Sequence, residues 1–154
     1  DLRPYRDRLR KELGPKFDEL AKRDAEAVRV LWLDGFYSFE KPGEEWRHRW
    51  CGPTGTAVFV NPTDRPRTLK LEYVIRTFTD SPADVRVDGG ELWTERVPVN
   101  RATAPVTRTV VVPPGRHVVH FRAKMPQDQL PSDSRRLTFF LAGFRITEVG
   151  AARE

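Results

Sequence analysis

The chain has 154 residues, of which 38% are hydrophobic and 32% charged, and it carries a net charge of +5. This length suits one domain with one core, and the composition lies outside the range of disordered chains. A single cysteine, Cys51, excludes an internal disulfide and a multi-cysteine zinc site. No apolar run approaches the roughly 18 residues of a membrane-spanning helix, and no signal peptide is recognisable.

Residues 1–29 predict a helical segment. Apolar side chains recur there at helical spacing, with charges between them: Leu9, Leu13, Phe17 and Leu20. Gly14-Pro15 interrupts the pattern, and proline suits the first turn of a new helix. We therefore expect two helices, Arg3–Leu13 and 15–29, which lay one apolar stripe on the domain or link it to a parent protein. The chain starts with Asp1 rather than Met, which indicates a fragment or a processed product.

Residues 30–150 predict a β domain. Short blocks alternate with clusters of Pro, Gly, Asn and Asp, at the spacing typical of sandwiches and barrels. The candidate strands are 30–33, 36–40, 45–50, 56–60, 67–76, 84–87, 91–97, 106–112, 116–122 and 137–148. Strong turn signals separate them, for example at 61–66, 88–90 and 113–115. Helical periodicity does not return after Arg29, so no parallel sheet with crossover helices is expected.

Alternation within the strands assigns their faces. Two apolar sets each share one face: Leu69, Leu71, Tyr73 and Ile75 in one strand, and Val119 and Phe121 in another. Val118, His120 and Arg122 lie on the opposite face of the second strand. Such alternation places one face on a core and the other toward solvent. The predicted fold class is mostly β: a two-sheet antiparallel β-sandwich, jelly-roll-like, with an N-terminal helical segment.

Two segments carry a recognisable combination of residues. One runs from Gly35-Phe36-Tyr37 to Glu40 and is followed by Trp46-Arg47-His48-Arg49-Trp50; the other is Asp133-Ser134-Arg135-Arg136-Leu137 before the last strand. Together they resemble accessory C-terminal β-sandwich domains of bacterial glycosyltransferases and of sulfatase-like proteins that handle cell-surface glycans. The resemblance covers residues 31–148. It implies a non-catalytic, jelly-roll-like module that touches sugar.

No catalytic or metal constellation is complete. The run from Cys51 to Gly55 begins like the sulfatase motif Cys-x-Pro-x-Arg, but Gly55 stands where the motif needs Arg, so we predict a turn. His117 and His120 are three residues apart in a strand and point to opposite faces. No serine sits in a nucleophile elbow, and paired glycosidase carboxylates are available by composition only. We predict no enzyme activity, no cofactor and no metal.

An aromatic and basic set is the leading candidate for ligand binding. Trp46, His48 and Trp50 share one face of a predicted strand, Arg47 and Arg49 share the other, and Trp93 adds a further indole. Exposed rings of this kind would stack on sugars, whereas buried rings would belong to the core. The core interpretation is favoured, because large aromatic side chains dominate protein cores.

Glu40 and Arg136 form a candidate ion pair. A buried carboxylate–guanidinium pair would tie the first strands to the last one, with bidentate geometry. The alternative is an ion pair that binds a ligand, and the structural role is favoured.

These observations predict a non-catalytic accessory domain of a larger bacterial protein involved in cell-surface glycan handling. Two alternatives stay open: a carbohydrate-binding module that stacks sugars on exposed tryptophans, and an enzyme with an unrecognised site. The expected partners are the rest of the parent polypeptide and carbohydrate. Nucleic acid is not expected, because arginines are spread through the chain among 22 acidic residues. The sequence favours neither the cytoplasm nor attachment to the cell envelope through the parent protein.

Overall fold

A computed structural model describes residues 2–37, 48–77, 83–100, 104–124 and 138–149. The chain begins with two helices, α1 (Arg3–Leu13) and α2 (Pro15–Glu26). Nine strands follow in the described ranges: β1 (Arg29–Trp32), β2 (His48–Cys51), β3 (Thr54–Asn61), β4 (Arg67–Arg76), β5 (Ala83–Asp88), β6 (Thr94–Val99), β7 (Ala104–Val112), β8 (Gly115–Lys124) and β9 (Phe139–Glu148).

The strands form two antiparallel sheets packed as a sandwich. The five-stranded sheet has the order β1-β3-β8-β5-β6, and the four-stranded sheet has the order β2-β9-β4-β7. All described pairings are antiparallel. The predicted fold class, a jelly-roll-like β-sandwich with helices at the N-terminus, is confirmed.

The core lies between the inner faces of the two sheets, and the predicted alternation is correct. The four apolar residues of β4 assigned to one face are all buried, as are Val119 and Phe121 of β8. Aromatic rings fill the middle of the sandwich: Phe36 meets Phe121 edge-to-face at 5.3 Å and Phe139 at 6.3 Å. Alternation therefore predicted the inner face wherever a strand is regular.

The helices do not bury an apolar stripe, contrary to one of the two expectations from sequence. Neither helix contains a buried residue, and Leu13 and Leu20 are 42% and 46% exposed. Apolar residues are sparse among the charges, so packing the helices on the sandwich would bury little area. Helix α2 ends at Glu26, earlier than predicted, because Val28 enters the core and Arg29 begins β1. No helix in the described ranges is long and apolar enough to cross a membrane.

The turn that follows β1 requires glycine at position 35. Gly35 has φ +89°, and a Cβ there would lie 1.9 Å from the Thr54 carbonyl oxygen. The predicted strand 36–40 appears in the described part only as an isolated bridge between Phe36 and Cys51. The close approach at Gly35 lets Phe36 pack against the core. The Gly35-Phe36 part of the segment that carried the resemblance therefore has a packing role.

Strand β9 contains a bulge. Glu72 of β4 pairs with Arg145, but Val74 pairs with Ala142, so β9 holds one extra residue there. Gly143 in the bulge has φ +59°, a conformation natural to glycine. The bulge reverses the inside–outside order of the last residues of β9, so that Glu148 faces inward.

The predicted turn at 61–66 is organised by one buried side chain. Asn61 donates through Nδ2 to the carbonyls of Arg65 (2.8 Å) and Val112 (2.9 Å). Its Oδ1 accepts from the backbone N–H and the hydroxyl of Thr63, at 3.0 and 2.7 Å. The Asn61 amide is therefore well satisfied, and it holds the turn against β7.

Candidate functional site

A polar cleft lies on the outer face of the five-stranded sheet, over β5 and β8. Its volume is about 340 Å³, and four side chains line it: Arg86, Asp88, His120 and Arg122. They point outward because their strand neighbours, such as Val87 and Phe121, are buried in the core. We call this feature the β5–β8 cleft.

Strand register brings the lining residues together. Arg86 pairs with Arg122, and Asp88 pairs with His120. Thr56 of β3 extends the second row, with its Oγ1 3.5 Å from His120 Nδ1. Guanidinium donors, a carboxylate, an imidazole and a hydroxyl therefore share one patch of surface.

The turn after β5 orients Asp88. Its Oδ1 accepts a hydrogen bond from the Gly90 N–H at 3.0 Å. The Gly89 N–H donates to the Trp93 carbonyl at 2.8 Å and closes the turn. The turn predicted at 88–90 thus holds a carboxylate at the rim of the cleft, and its second oxygen has no partner among the described residues.

The polar surface continues from the cleft toward β6. An adjoining depression is lined by Arg86 and Arg122 together with three further residues: Asp84, Arg96 and Lys124. Arg96 Nε lies 3.9 Å from Asp84 Oδ2. Alternation in the sequence predicts that His120 and Arg122 face outward, but no local pattern marks any member of this surface for binding. The missing information is the pairing of β5 with β6 and β8, which no local pattern contains.

Trp50 does not offer an open ring. It lies on the outer face of the four-stranded sheet, is 8% exposed, and contacts Phe140 edge-to-face at 4.8 Å. Register explains the contact, since Trp50 pairs directly with Phe140. The Arg76 guanidinium lies 5.8 Å from the Phe140 ring. Trp50 is therefore a packed residue, and its role as a sugar-stacking surface stays a prediction.

Trp93 is also engaged in packing. Its ring meets Phe59 at 5.6 Å, and its Nε1 donates to Glu95 Oε1 at 3.0 Å. The Tyr73 hydroxyl donates to the same oxygen at 3.2 Å, and Arg108 forms an ion pair with the other carboxylate oxygen. Burial, and then the negative charge of Glu95, raises the pKa of the Tyr73 phenol. Since β6 and β7 belong to different sheets, Glu95 and Arg108 join the two sheets.

Arg49 performs a similar task between β1 and β2. Its Nη1 donates to the Tyr37 carbonyl at 2.8 Å, and its guanidinium lies 5.3 Å from the Trp32 ring. Burial lowers the pKa of Arg49. These contacts give Arg49 a structural role; ligand binding by this residue stays a prediction.

The remaining sequence candidates are placed only in part. His48 pairs with Ala142 through its backbone, but its side chain lies outside the described residues. Trp46, Arg47, Glu40 and Arg136 also lie outside them. Their proposed roles, including the Glu40–Arg136 pair, stay predictions.

The described residues show little that could support metal or nucleophilic chemistry. No group of three or more His, Cys, Asp or Glu in these ranges is placed to hold a metal ion. Cys51 is fully buried, and burial raises the pKa of its thiol, so it stays protonated. It ends β2 just before the predicted turn into β3. His117 is bonded through Nε2 to the Pro113 carbonyl at 2.8 Å, which makes it a structural histidine.

Several solved structures are similar to this chain. A family 4 carbohydrate-binding module matches with a TM-score of 0.44 and 10% identity, over 83% of this chain and 82% of that one. A β-1,4-mannanase of Podospora anserina with a family 35 carbohydrate-binding module matches with a TM-score of 0.43 and 11% identity, over 84% of this chain and 27% of that one. The N-terminal cellulose-binding domain of Cellulomonas fimi β-1,4-glucanase C matches with a TM-score of 0.41 and 11% identity, over 79% and 88%.

No protein-family model and no curated protein sequence matches the chain. None of the three similar structures is a glycosyltransferase or a sulfatase, so that part of the resemblance stays a prediction. At these identities and TM-scores we infer no function from the likeness.

Proposed function

We propose that this chain is a non-catalytic carbohydrate-binding domain, and that the β5–β8 cleft holds the sugar. The observation that carries the proposal is the cleft itself, with polar side chains converging from two neighbouring strands. Its volume of about 340 Å³ falls at the lower end of the roughly 300–1,000 Å³ range of small-molecule sites.

The lining chemistry suits hydroxyl groups. A sugar hydroxyl donates one hydrogen bond and accepts others, so it needs both kinds of partner nearby. Asp88 accepts, Arg86 and Arg122 donate, and the His120 imidazole can do either. All four are presented on rigid strands or at a strand end, which limits the entropy lost on binding.

The lining also favours binding over hydrolysis. Glycoside hydrolysis canonically uses two carboxylates that flank the scissile bond. Among the described residues that line the β5–β8 cleft, Asp88 is the one carboxylate. The proposal departs from the stacking hypothesis, because Trp50 and Trp93 are occupied in packing; sugar contact through Trp46 stays open as a prediction.

Chemical-shift mapping tests the proposal. The ¹⁵N-labelled chain is titrated with neutral and acidic oligosaccharides, and we expect amide shifts concentrated in β5 and β8. Arg122→Ala should weaken binding at least tenfold, about the loss of one charged hydrogen-bond donor. Arg145→Ala removes the same charge from an exposed position on the other sheet and should leave binding unchanged.

Two results would overturn the proposal. One is the absence of any shift with every sugar tested. The other is a set of shifts that maps to the four-stranded sheet and survives the Arg122→Ala change.

A further inference from the structure

Three arginines stand in one cross-strand row beside the β5–β8 cleft. Arg86 pairs with Arg122 on one side and with Arg96 on the other. All three are exposed on the outer face of the five-stranded sheet. Neighbouring strands lie about 4.8 Å apart, so three guanidinium groups originate within about 10 Å.

This row is poorly neutralised by the protein. Among the residues that the structure describes, Arg96 has one distant ion-pair contact, to Asp84 at 3.9 Å. Within the described residues, Arg86 and Arg122 form neither a hydrogen bond nor an ion pair. Like charges directly opposite one another on neighbouring strands destabilise a sheet. The row therefore has an unfavourable charge arrangement that an anion would relieve.

The opposite sheet is organised differently. There Arg145 pairs with Glu72 at 2.9 Å, and Lys70 reaches the same carboxylate at 3.0 Å. Arg67 is likewise paired, with Glu148. These three cations of the four-stranded sheet are matched with carboxylates, whereas the row is left open to solvent.

We propose that the ligand of this surface is an acidic carbohydrate, bearing carboxylate or sulfate groups that bind across Arg122, Arg86 and Arg96. This inference rests on the proposed carbohydrate-binding function and specifies its ligand class. The guanidinium fork matches carboxylate and sulfate oxygens in bidentate fashion. Asp88, one row away, accepts hydrogen bonds from the sugar hydroxyls that flank the acidic group.

A nucleic acid fits the same surface less well. Asp84 and Asp88 lie beside the arginine row and would repel a chain of closely spaced phosphates. Single-stranded nucleic acids also bind through aromatic side chains on which bases stack. The described outward residues of the five-stranded sheet include no Phe, Tyr or Trp. The experiment must therefore distinguish binding to nucleic acid from binding to an acidic carbohydrate.

The experiment compares polymers that differ in charge alone. Binding of the chain is measured by titration calorimetry with polygalacturonate and its fully methyl-esterified form, with dextran sulfate and dextran, and with a single-stranded oligonucleotide. We expect binding to at least one acidic polymer and at least tenfold weaker binding to its neutral counterpart. The affinity should fall as NaCl rises from about 50 to about 500 mM, because salt screens exposed charges. The two acidic polymers distinguish carboxylate from sulfate recognition.

Alanine variants test whether the arginine row binds the acidic polymer. Arg86→Ala and Arg96→Ala should each weaken binding to the acidic polymer at least tenfold. Arg116→Ala is the matched control: it removes the same charge from the same outer face, six residues along β8 from Arg122, about 20 Å away. Unchanged affinity in both row variants would overturn the inference, as would an equal loss in the control.

The outcomes also separate this inference from the proposed function. Equal binding of acidic and neutral sugars in the cleft would overturn the ligand class and retain the carbohydrate-binding function. Absence of binding to every sugar would overturn both. Arg86-dependent binding to the oligonucleotide at equal or higher affinity would replace carbohydrate with nucleic acid.

Discussion

Arg67 and Glu148 form a bidentate salt bridge between neighbouring strands of the four-stranded sheet. Arg67 donates through both Nε and Nη2 to the Glu148 carboxylate, and its Nη1 donates to the Glu26 carbonyl at 2.8 Å. Only 8% of the Arg67 side chain is exposed, so its buried positive charge needs the Glu148 carboxylate as a partner. The contact joins β4, β9 and the end of α2.

Removing Arg67 should destabilise the domain. In Arg67→Ala, the partly buried Glu148 carboxylate and the Glu26 carbonyl lose their donor, and we expect the free energy of unfolding to fall by roughly 3 kcal/mol. Urea unfolding followed by tryptophan fluorescence measures the change. Arg145→Ala is the control, because Arg145 also bridges β9 and β4 but is exposed, and its partner Glu72 keeps Lys70. Equal losses in the two variants would contradict the role assigned to Arg67.

The same pair predicts a loss of stability in acid. The hydrogen bonds from Arg67 hold the pKa of Glu148 below its ordinary value. A carboxyl with a lowered folded-state pKa stabilises the fold above its unfolded pKa of about 4.3, and this stabilisation is lost as the pH falls through the folded pKa. The difference in unfolding free energy between the parent chain and Glu148→Gln should therefore be largest near neutral pH and shrink below about pH 4. A difference that stays constant from pH 7 to pH 3 would refute this linkage.

The network around Glu95 should respond unequally to the loss of Arg108 and the loss of Tyr73. Arg108→Ala leaves a buried carboxylate without its cation, and we expect a loss of roughly 3 kcal/mol in unfolding free energy. Tyr73→Phe removes one of two donors to Oε1 while Trp93 keeps the other, so the loss should be about 1 kcal/mol. Thermal and urea unfolding of both variants give the comparison. A larger loss for Tyr73→Phe would show that the phenol, and not the ion pair, joins the sheets.

Two glycines with positive φ should tolerate alanine very differently. Gly35→Ala places a Cβ 1.9 Å from the Thr54 carbonyl oxygen, so β1 and β3 must separate or the backbone must change. We expect a chain that is largely unfolded or insoluble. Gly90→Ala meets nothing within 4 Å and costs only the strain of its φ of +58°, about 1 kcal/mol. Circular dichroism of the two variants measures whether each chain is folded. A well-folded Gly35→Ala chain would show that the contact can relax.

Sequence reasoning predicted the regular strands well and the irregular places poorly. Residues 67–76 were bounded correctly because alternating residues and flanking turns agree there. By contrast, the sequence pattern predicts one strand over 137–148 and gives no bulge, whereas the structure has one at Gly143. A single glycine inside a strand signals a bulge only weakly, because the evidence for it lies in the pairing with β4.

The candidate site was harder to predict than the fold. Alternation places Arg86, Arg96 and Arg122 on outer faces, but they are separated by 10 and 26 residues in the sequence. Only the order β8-β5-β6 makes them neighbours. The tryptophans, by contrast, are conspicuous in the sequence, and burial of Trp50 could be decided only by what packs around it. Composition indicated dispersed arginines, whereas register gathers three of them.

The extra residue at Gly143 determines which face of the sheet each later side chain of β9 occupies. If β9 paired with β4 without the bulge, its alternation would run unbroken from Leu141, and every residue after Gly143 would change face. Arg145 and Thr147 would then turn toward the interior, while Phe144, Ile146 and Glu148 would turn out to water. The bulge at Gly143 therefore determines whether the carboxylate that secures Arg67 points toward its partner or away from it.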